Sequence, residues 1–154
     1  MPTPEETQAE RALIIGFAAK MKCEVLYLQG DQGNQDNGKT DGIIDHNGKK
    51  ISVEARRKGY PNYRGHATPF EEGWQTRCLV DDDGIFLNEL TINNHQDFGF
   101  TFVVEIKGFK PRFCSISPSR VKKLLEQEPR SMKSTNSGVK QSVKNVPLDW
   151  FREY

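Results

Sequence analysis

Asp41 and Glu54 are the two residues whose types and spacing point most directly to chemistry. They lie either side of Asn47-Gly48, the dipeptide best suited to the two central positions of a type I′ hairpin turn, and strand-like runs flank it at Asp41–Asp45 and Lys49–Arg56. With that turn, His46 opposes Lys49, Asp45 opposes Lys50, Ile44 opposes Ile51, Ile43 opposes Ser52 and Asp41 opposes Glu54. Directly opposed side chains have Cβ atoms roughly 5 Å apart, so two carboxylates there repel by about 3 kcal/mol at an effective dielectric near ~20. A cation between them removes that cost. Mg²⁺ or Mn²⁺ suits the position, because hard ions take carboxylate oxygens and leave other positions for water and phosphate oxygens. Alternation along the strands puts Gly42, Ile44, Ile51, Val53 and Ala55 on a core face, and Asp41, Ile43, Asp45, Lys50, Ser52, Glu54 and Arg56 on the other. The competing reading is a solvated pair neutralised by Lys50 and Arg56. Against it, Glu54 stands between Val53 and Ala55 in a run suited to a central strand, where a charge without a partner is costly.

The surroundings of the pair are basic. Lys49, Lys50, Arg56, Arg57, Lys58 and Arg64 are interrupted by one acid, Glu54, and interleaved with Tyr60 and Tyr63, a mixture suited to phosphate contacts and base stacking. A solvated basic loop is the alternative. His46, His66 and His95 share no spacing that would make a zinc site, and each reads as structural or surface. Asp81-Asp82-Asp83 reads as helix capping and solvation.

The elements that position these residues follow from periodicity. Thr3-Pro4-Glu5-Glu6 starts a helix that runs to about Lys22, with an apolar stripe of Leu13, Ile14, Phe17, Ala18 and Met21 and with Glu6 and Glu10 at its edge. Glu24–Leu28 has strand composition, and Gly30–Lys39 that of a ligand-facing loop. A short strand at Arg77–Val80 and a helix from the triple aspartate through Phe86, Leu87 and Leu90 are expected next. Phe100–Ile106 and Arg112–Ile116 are strands joined by a turn at 108–111, and Ser117 or Ser119 caps a helix through Val121, Leu124 and Leu125. The acid-free residues after Glu128 read as a basic flexible linker over 129–145, and 146–154 as a segment docking back onto a core of 1–128. Trp74 and Trp150 read as core or docking residues.

The order of these parts resembles the PD-(D/E)xK nuclease superfamily over about residues 5 to 125. Thr40-Asp41-Gly42-Ile43-Ile44 stands where those proteins carry a Pro-Asp element, and Val53-Glu54-Ala55-Arg56 where they carry Glu-x-Lys. Glu10, in Ala9-Glu10-Arg11-Ala12-Leu13, resembles the helical glutamate of the Holliday-junction-resolvase-like branch. The resemblance implies an α/β restriction-endonuclease-like core, a central mixed sheet flanked by helices. It also implies a site in which Asp41, Glu54 and Glu10 hold Mg²⁺ or Mn²⁺, with Arg56 or Lys58 stabilising charge on the phosphate. The departure is Arg56: arginine stays protonated in proteins, so it can supply charge but not act as a general base. Lys58, on the same strand face, is the substitute.

Composition limits the classes. The 154 residues are 35% hydrophobic and 28% charged with a formal net charge of +1, enough apolar material for one modest core. Three distant cysteines without a CxxC pair indicate neither a disulfide framework nor a zinc cage, and no run approaches a membrane span. A cytoplasmic location is the default expectation. The leading expectation is a Mg²⁺-dependent endodeoxyribonuclease cleaving DNA by metal-activated water, with Lys49, Lys50, Arg57, Tyr60, Tyr63 and Arg64 on the nucleic acid. Three matters stay open: RNA as substrate, dimerisation to cut both strands, and a degenerate domain that binds nucleic acid or a protein partner without cutting.

Overall fold

A computed structural model describes residues 4–30, 40–58, 85–133 and 140–154. Side chains of 4–6, 58, 85–86, 130–133 and 140–141 lie outside that description, as do the expectations for Asp31–Lys39, Tyr60, Tyr63, Arg64, His66, Trp74, the Arg77–Val80 strand and the triple aspartate.

Helix α1 spans Pro4–Met21 and buries Leu13, Ile14, Phe17 and Ala18 along one side, as the three- and four-residue spacing predicts. It stops in a Schellman arrangement: Lys22 has φ +58, its N–H bonds Ala19 O, and Cys23 N–H bonds Ala18 O. Strand β1 (Glu24–Leu28) follows and pairs antiparallel with β2 (Gly42–His46), which turns into β3 (Lys49–Lys58). The hairpin has the expected register from His46↔Lys49 to Gly42↔Val53, with positive φ at Asn47 and Gly48. Gly48 N–H donates to Asp45 Oδ1 at 2.7 Å, which fixes the tip.

Strand β3 is central. Its other edge pairs in parallel with β5 (Phe100–Ile106), which continues antiparallel to β6 (Arg112–Ile116) and then to β9 (Arg152–Glu153). The six-stranded order β1-β2-β3-β5-β6-β9 is therefore a mixed sheet. Six of the seven β5 residues are buried, as expected for a strand covered on both faces. On one face, α1 packs against Ile44, Val53, Ala55 and Val103. On the other, Phe102, Val104, Ile106 and Ile116 pack with α2 (Glu89–Asn94), α3 (Pro118–Glu126) and residues of a second sheet. Ser117 caps α3, accepting from Arg120 N–H at 3.3 Å. The fold is a mixed α/β architecture with a central mixed sheet flanked by helices. Among the described residues, no helix is long and apolar enough to cross a membrane. Cys23 and Cys114 are free thiols, and burial pushes the Cys114 thiol up to about 12, in keeping with a packing role.

Two expectations are corrected. The helix expected through Phe86 and Leu87 is a strand, β4 (Ile85–Asn88), and helix starts only at Glu89. Asn88 is extended and its side chain accepts from Leu90 N–H at 2.7 Å, a cap that forbids helix before it and leaves Leu87 fully buried in the strand. The basic stretch 129–145 is not a linker where it is described. Residues Arg130–Lys133 (β7) and Lys140–Val146 (β8) pair antiparallel, and β8 also pairs with β4. Val143 and Val146 are buried, and Phe151 joins the same core as Val146.

Lys144 explains why charge alone misled. It is 2% exposed, and its ammonium donates to the carbonyls of Leu125 (3.3 Å) and Gln127 at the end of α3. These are carbonyls that a helix C-terminus leaves unpaired. Lys144→Met removes both bonds and leaves two part-buried carbonyls without that donor, so urea denaturation should show a loss of about 1–3 kcal/mol. An unchanged midpoint would mean that water caps α3 equally well.

Candidate active site

The end of β2 determines where Asp41 goes. The ladder to β3 stops at Gly42↔Val53, one residue short of the expected Asp41–Glu54 pair. Asp41 instead turns its side chain to the strand: Oδ2 accepts the Ala55 N–H at 2.9 Å, replacing the backbone acceptor that a longer β2 would provide. Thr40 is buried beside it, donating to Gly42 O at 2.9 Å and held within 3.3 Å of Val53 O. A Cβ at Gly42 would come within 3.1 Å of Ile14 and 3.2 Å of Tyr27 O, so the small residue lets α1 and β1 close on the strand that delivers Asp41.

Glu54 leaves the opposite face from Val53 and Ala55 and is buried, 4% exposed. Its Oε1 lies 3.6 Å from Nε2 of His95, too long for a hydrogen bond, and its Oε2 lies 3.8 Å from Arg56 Nη1. Arg56 Nη1 also lies 3.5 Å from Asp41 Oδ2 and donates to Ala55 O at 2.9 Å. Three oxygens, from Asp41, Glu54 and the Ala55 carbonyl, thus surround one cationic nitrogen.

Burial, then the Asp41 charge and a hydrogen bond to the Asp41 carboxyl, together with Glu10, push the Glu54 carboxyl up to about 9 against the opposing pull of Arg56. Glu54 is therefore protonated at neutral pH in the metal-free protein. Burial lowers the Arg56 pKa less than Asp41, Glu54 and Glu10 raise it, so its guanidinium is held charged. Burial depresses His95, although the Thr91 carbonyl, 2.9 Å from Nδ1, and the Asp41 charge pull the other way. A neutral His95 bonded through Nδ1–H presents a bare Nε2 to Glu54.

No family model matches this chain. No curated protein does either. Among solved structures, the chain is similar to Archaeoglobus fulgidus Hjc, described as a Holliday junction resolvase from an archaeal hyperthermophile. The likeness covers 90% of this chain and 87% of that one, with a TM-score of 0.47 and 9% identity. At that level no residue role can be carried across.

The expected site is thus assembled in part. Asp41, Glu54 and Arg56 come together, and Glu10 is near enough for its charge to act on both Glu54 and Arg56. Among the described residues no three His, Cys, Asp or Glu side chains form a group able to hold a metal, and the third oxygen beside the Arg56 nitrogen is the Ala55 carbonyl. Two carboxylates and a carbonyl are all hard oxygen donors, a set that fits Mg²⁺ or Mn²⁺ with its other positions open to water and phosphate. Lys58 ends β3 but its side chain is outside the described residues. Lys49 and Lys50 are exposed at the hairpin tip. Arg57, expected on nucleic acid, lies on the α1 face and pairs with Glu105 at 3.0 Å. Strand alternation puts it on the opposite face from Arg56. His95 and Thr40 were missed. Nothing in their spacing marks them, because the chain returns His95 to Glu54 only through the α2–β5 connection.

Proposed function

We propose that this protein is a metal-dependent nuclease that hydrolyses phosphodiester bonds in DNA. The observation that carries the reading is the convergence of Asp41 Oδ2, Glu54 Oε2 and Ala55 O on one cation position in the interior edge of a central hairpin. Its support from sequence is the resemblance of Thr40-Asp41-Gly42 and Glu54-Ala55-Arg56 to the motif pair of the PD-(D/E)xK nucleases, whose restriction-endonuclease-like core has the same mixed sheet between helices. Bound there, Mg²⁺ or Mn²⁺ would polarise water and neutralise charge on the phosphate. The Ala55 amide holds Asp41 Oδ2, the same oxygen that lies 3.5 Å from Arg56 Nη1 at the centre. Glu54 must release its proton to bind a cation, with the bare Nε2 of His95 3.6 Å away. Arg56, 30% exposed, is the group able to meet the phosphate, as a fixed positive charge and not as a base. Lys49 and Lys50 extend the basic surface along the hairpin.

The test is incubation of labelled duplex, branched and single-stranded DNA, and RNA, with Mg²⁺ or Mn²⁺ and with excess chelator. Glu54→Gln serves as the control protein. Scission that needs the ion and is lost in the variant is expected, and the best substrate identifies the nucleic acid. One specific observation favours a second reading, a module that binds without cutting: the guanidinium of Arg56 already occupies the cation position. Ion-independent DNA binding without scission of any substrate would establish that reading instead.

A further inference from the structure

The position of Arg56 has a consequence for how the site takes up an ion. Its Nη1 is 2.9 Å from Ala55 O, 3.5 Å from Asp41 Oδ2 and 3.8 Å from Glu54 Oε2, the same three oxygens that would hold a divalent ion. Two cations cannot share that point: a guanidinium nitrogen and a divalent ion a few ångströms apart repel strongly in a partly buried site. We infer that Arg56 is a built-in counter-cation that competes with the divalent ion for Asp41, Glu54 and the Ala55 carbonyl. Resting on the metal-dependent reading, this makes the site self-neutralised before an ion binds, and ion uptake an exchange rather than a simple addition.

Three features support exchange over permanent closure. The contacts to the two carboxylates are long, whereas a tight bidentate guanidinium–carboxylate pair has N···O distances near ~2.8 Å. The Arg56 side chain is 30% exposed, with a route to solvent, while Glu54 and His95 are only 6% and 5% exposed. Asp41 is held by the Ala55 amide independently of Arg56, so its Oδ2 keeps its place when the guanidinium leaves.

The experiment is a titration of the full chain with Mn²⁺ alone, without nucleic acid, counting free Mn²⁺ by electron paramagnetic resonance. Wild type, Arg56→Met, Arg56→Gln and the double variant Arg56→Met with Asp41→Asn are compared after circular dichroism confirms their folds. The expected result is affinity on the order of tenfold or more higher in both single Arg56 variants, from removal of one competing charge, and its loss in the double variant. Equal affinity in wild type and folded Arg56 variants would overturn the inference while leaving the metal site intact. Absence of Mn²⁺ binding in all four would overturn the metal-dependent reading along with it.

Discussion

Glu54→Gln should lower metal-dependent cleavage by on the order of a thousandfold or more, while leaving the metal-free protein at pH 7 as stable as wild type or more stable. A bound ion contributes several kcal/mol of charge stabilisation, and each ~1.4 kcal/mol is tenfold in rate, so loss of one anionic ligand reaches that size. The stability half follows from the protonation state. Glu54 is a neutral acid in the folded, metal-free site, and glutamine keeps its shape and neutrality. Burial raises the folded carboxyl to about 9 from 4.5, so between those values the folded state binds a proton that the unfolded chain does not. Stability then falls as pH rises through that window. The contribution is complete below about 4.5 and is lost as pH climbs toward 9. Glutamine does not titrate, so the stability of Glu54→Gln relative to wild type should increase from pH 5 to pH 9 in chelator. Taking the difference cancels groups whose titration is the same in both proteins. Urea denaturation at pH 5, 7 and 9 reads it, and a difference that stays flat with pH would show Glu54 ionised in the metal-free fold.

Gly99→Ala should cost about 3 kcal/mol or more and loosen the site from a distance. Gly99 has φ +73, and a Cβ there would overlap the Ile116 carbonyl oxygen and lie 3.1 Å from Pro118. The positive φ costs a non-glycine residue about 1–2 kcal/mol, and overpacking against a neighbouring backbone adds about 1–3 kcal/mol. For a chain of this size, that lowers the melting temperature by roughly 10 °C. The obstacle is a strand carbonyl, so relief must come from moving the 95–99 turn. Gly99 N–H bonds His95 O at 2.8 Å, and the His95 ring packs tilted against Phe100 with ring centroids 4.6 Å apart. His95 therefore moves with the turn, away from Glu54. In the folded fraction, cleavage per molecule should fall too, whereas Lys144→Met, which lies at the far end of α3, should lower stability alone. Full cleavage in folded Gly99→Ala would show that the place of His95 does not matter to the reaction.

The local parts of this protein were legible in the sequence because each rests on interactions within a few residues. Asn47-Gly48 determines the hairpin and its register, since few other turns close two strands with two residues. The stripe of Leu13, Ile14, Phe17 and Ala18 determines the buried side of α1, and Ser117 the start of α3. Once the register is set, Asp41, Glu54 and Arg56 fall at one end of the hairpin without further information. Charge patterning was the poorer guide. It made a linker of β7 and β8, because a lysine on a strand reads the same whether it meets solvent or, like Lys144, the carbonyls of a helix end. Nor does it show that Arg57 pairs with its β5 neighbour Glu105.

What only the tertiary structure decided is the state of the site. The sequence shows two carboxylates that require a cation, but not which cation is nearest, and Arg56 supplies it from two residues along the same strand. It places Glu54 in a central strand, but the degree of burial that makes it a neutral acid comes from the parallel partner β5 and from α2. His95 reaches Glu54 across 41 residues of chain, a separation that carries no periodic signal. The physical reason is range: turn, cap and stripe are decided by neighbours in sequence, whereas desolvation and charge pairing are decided by whichever groups the completed fold brings within a few ångströms.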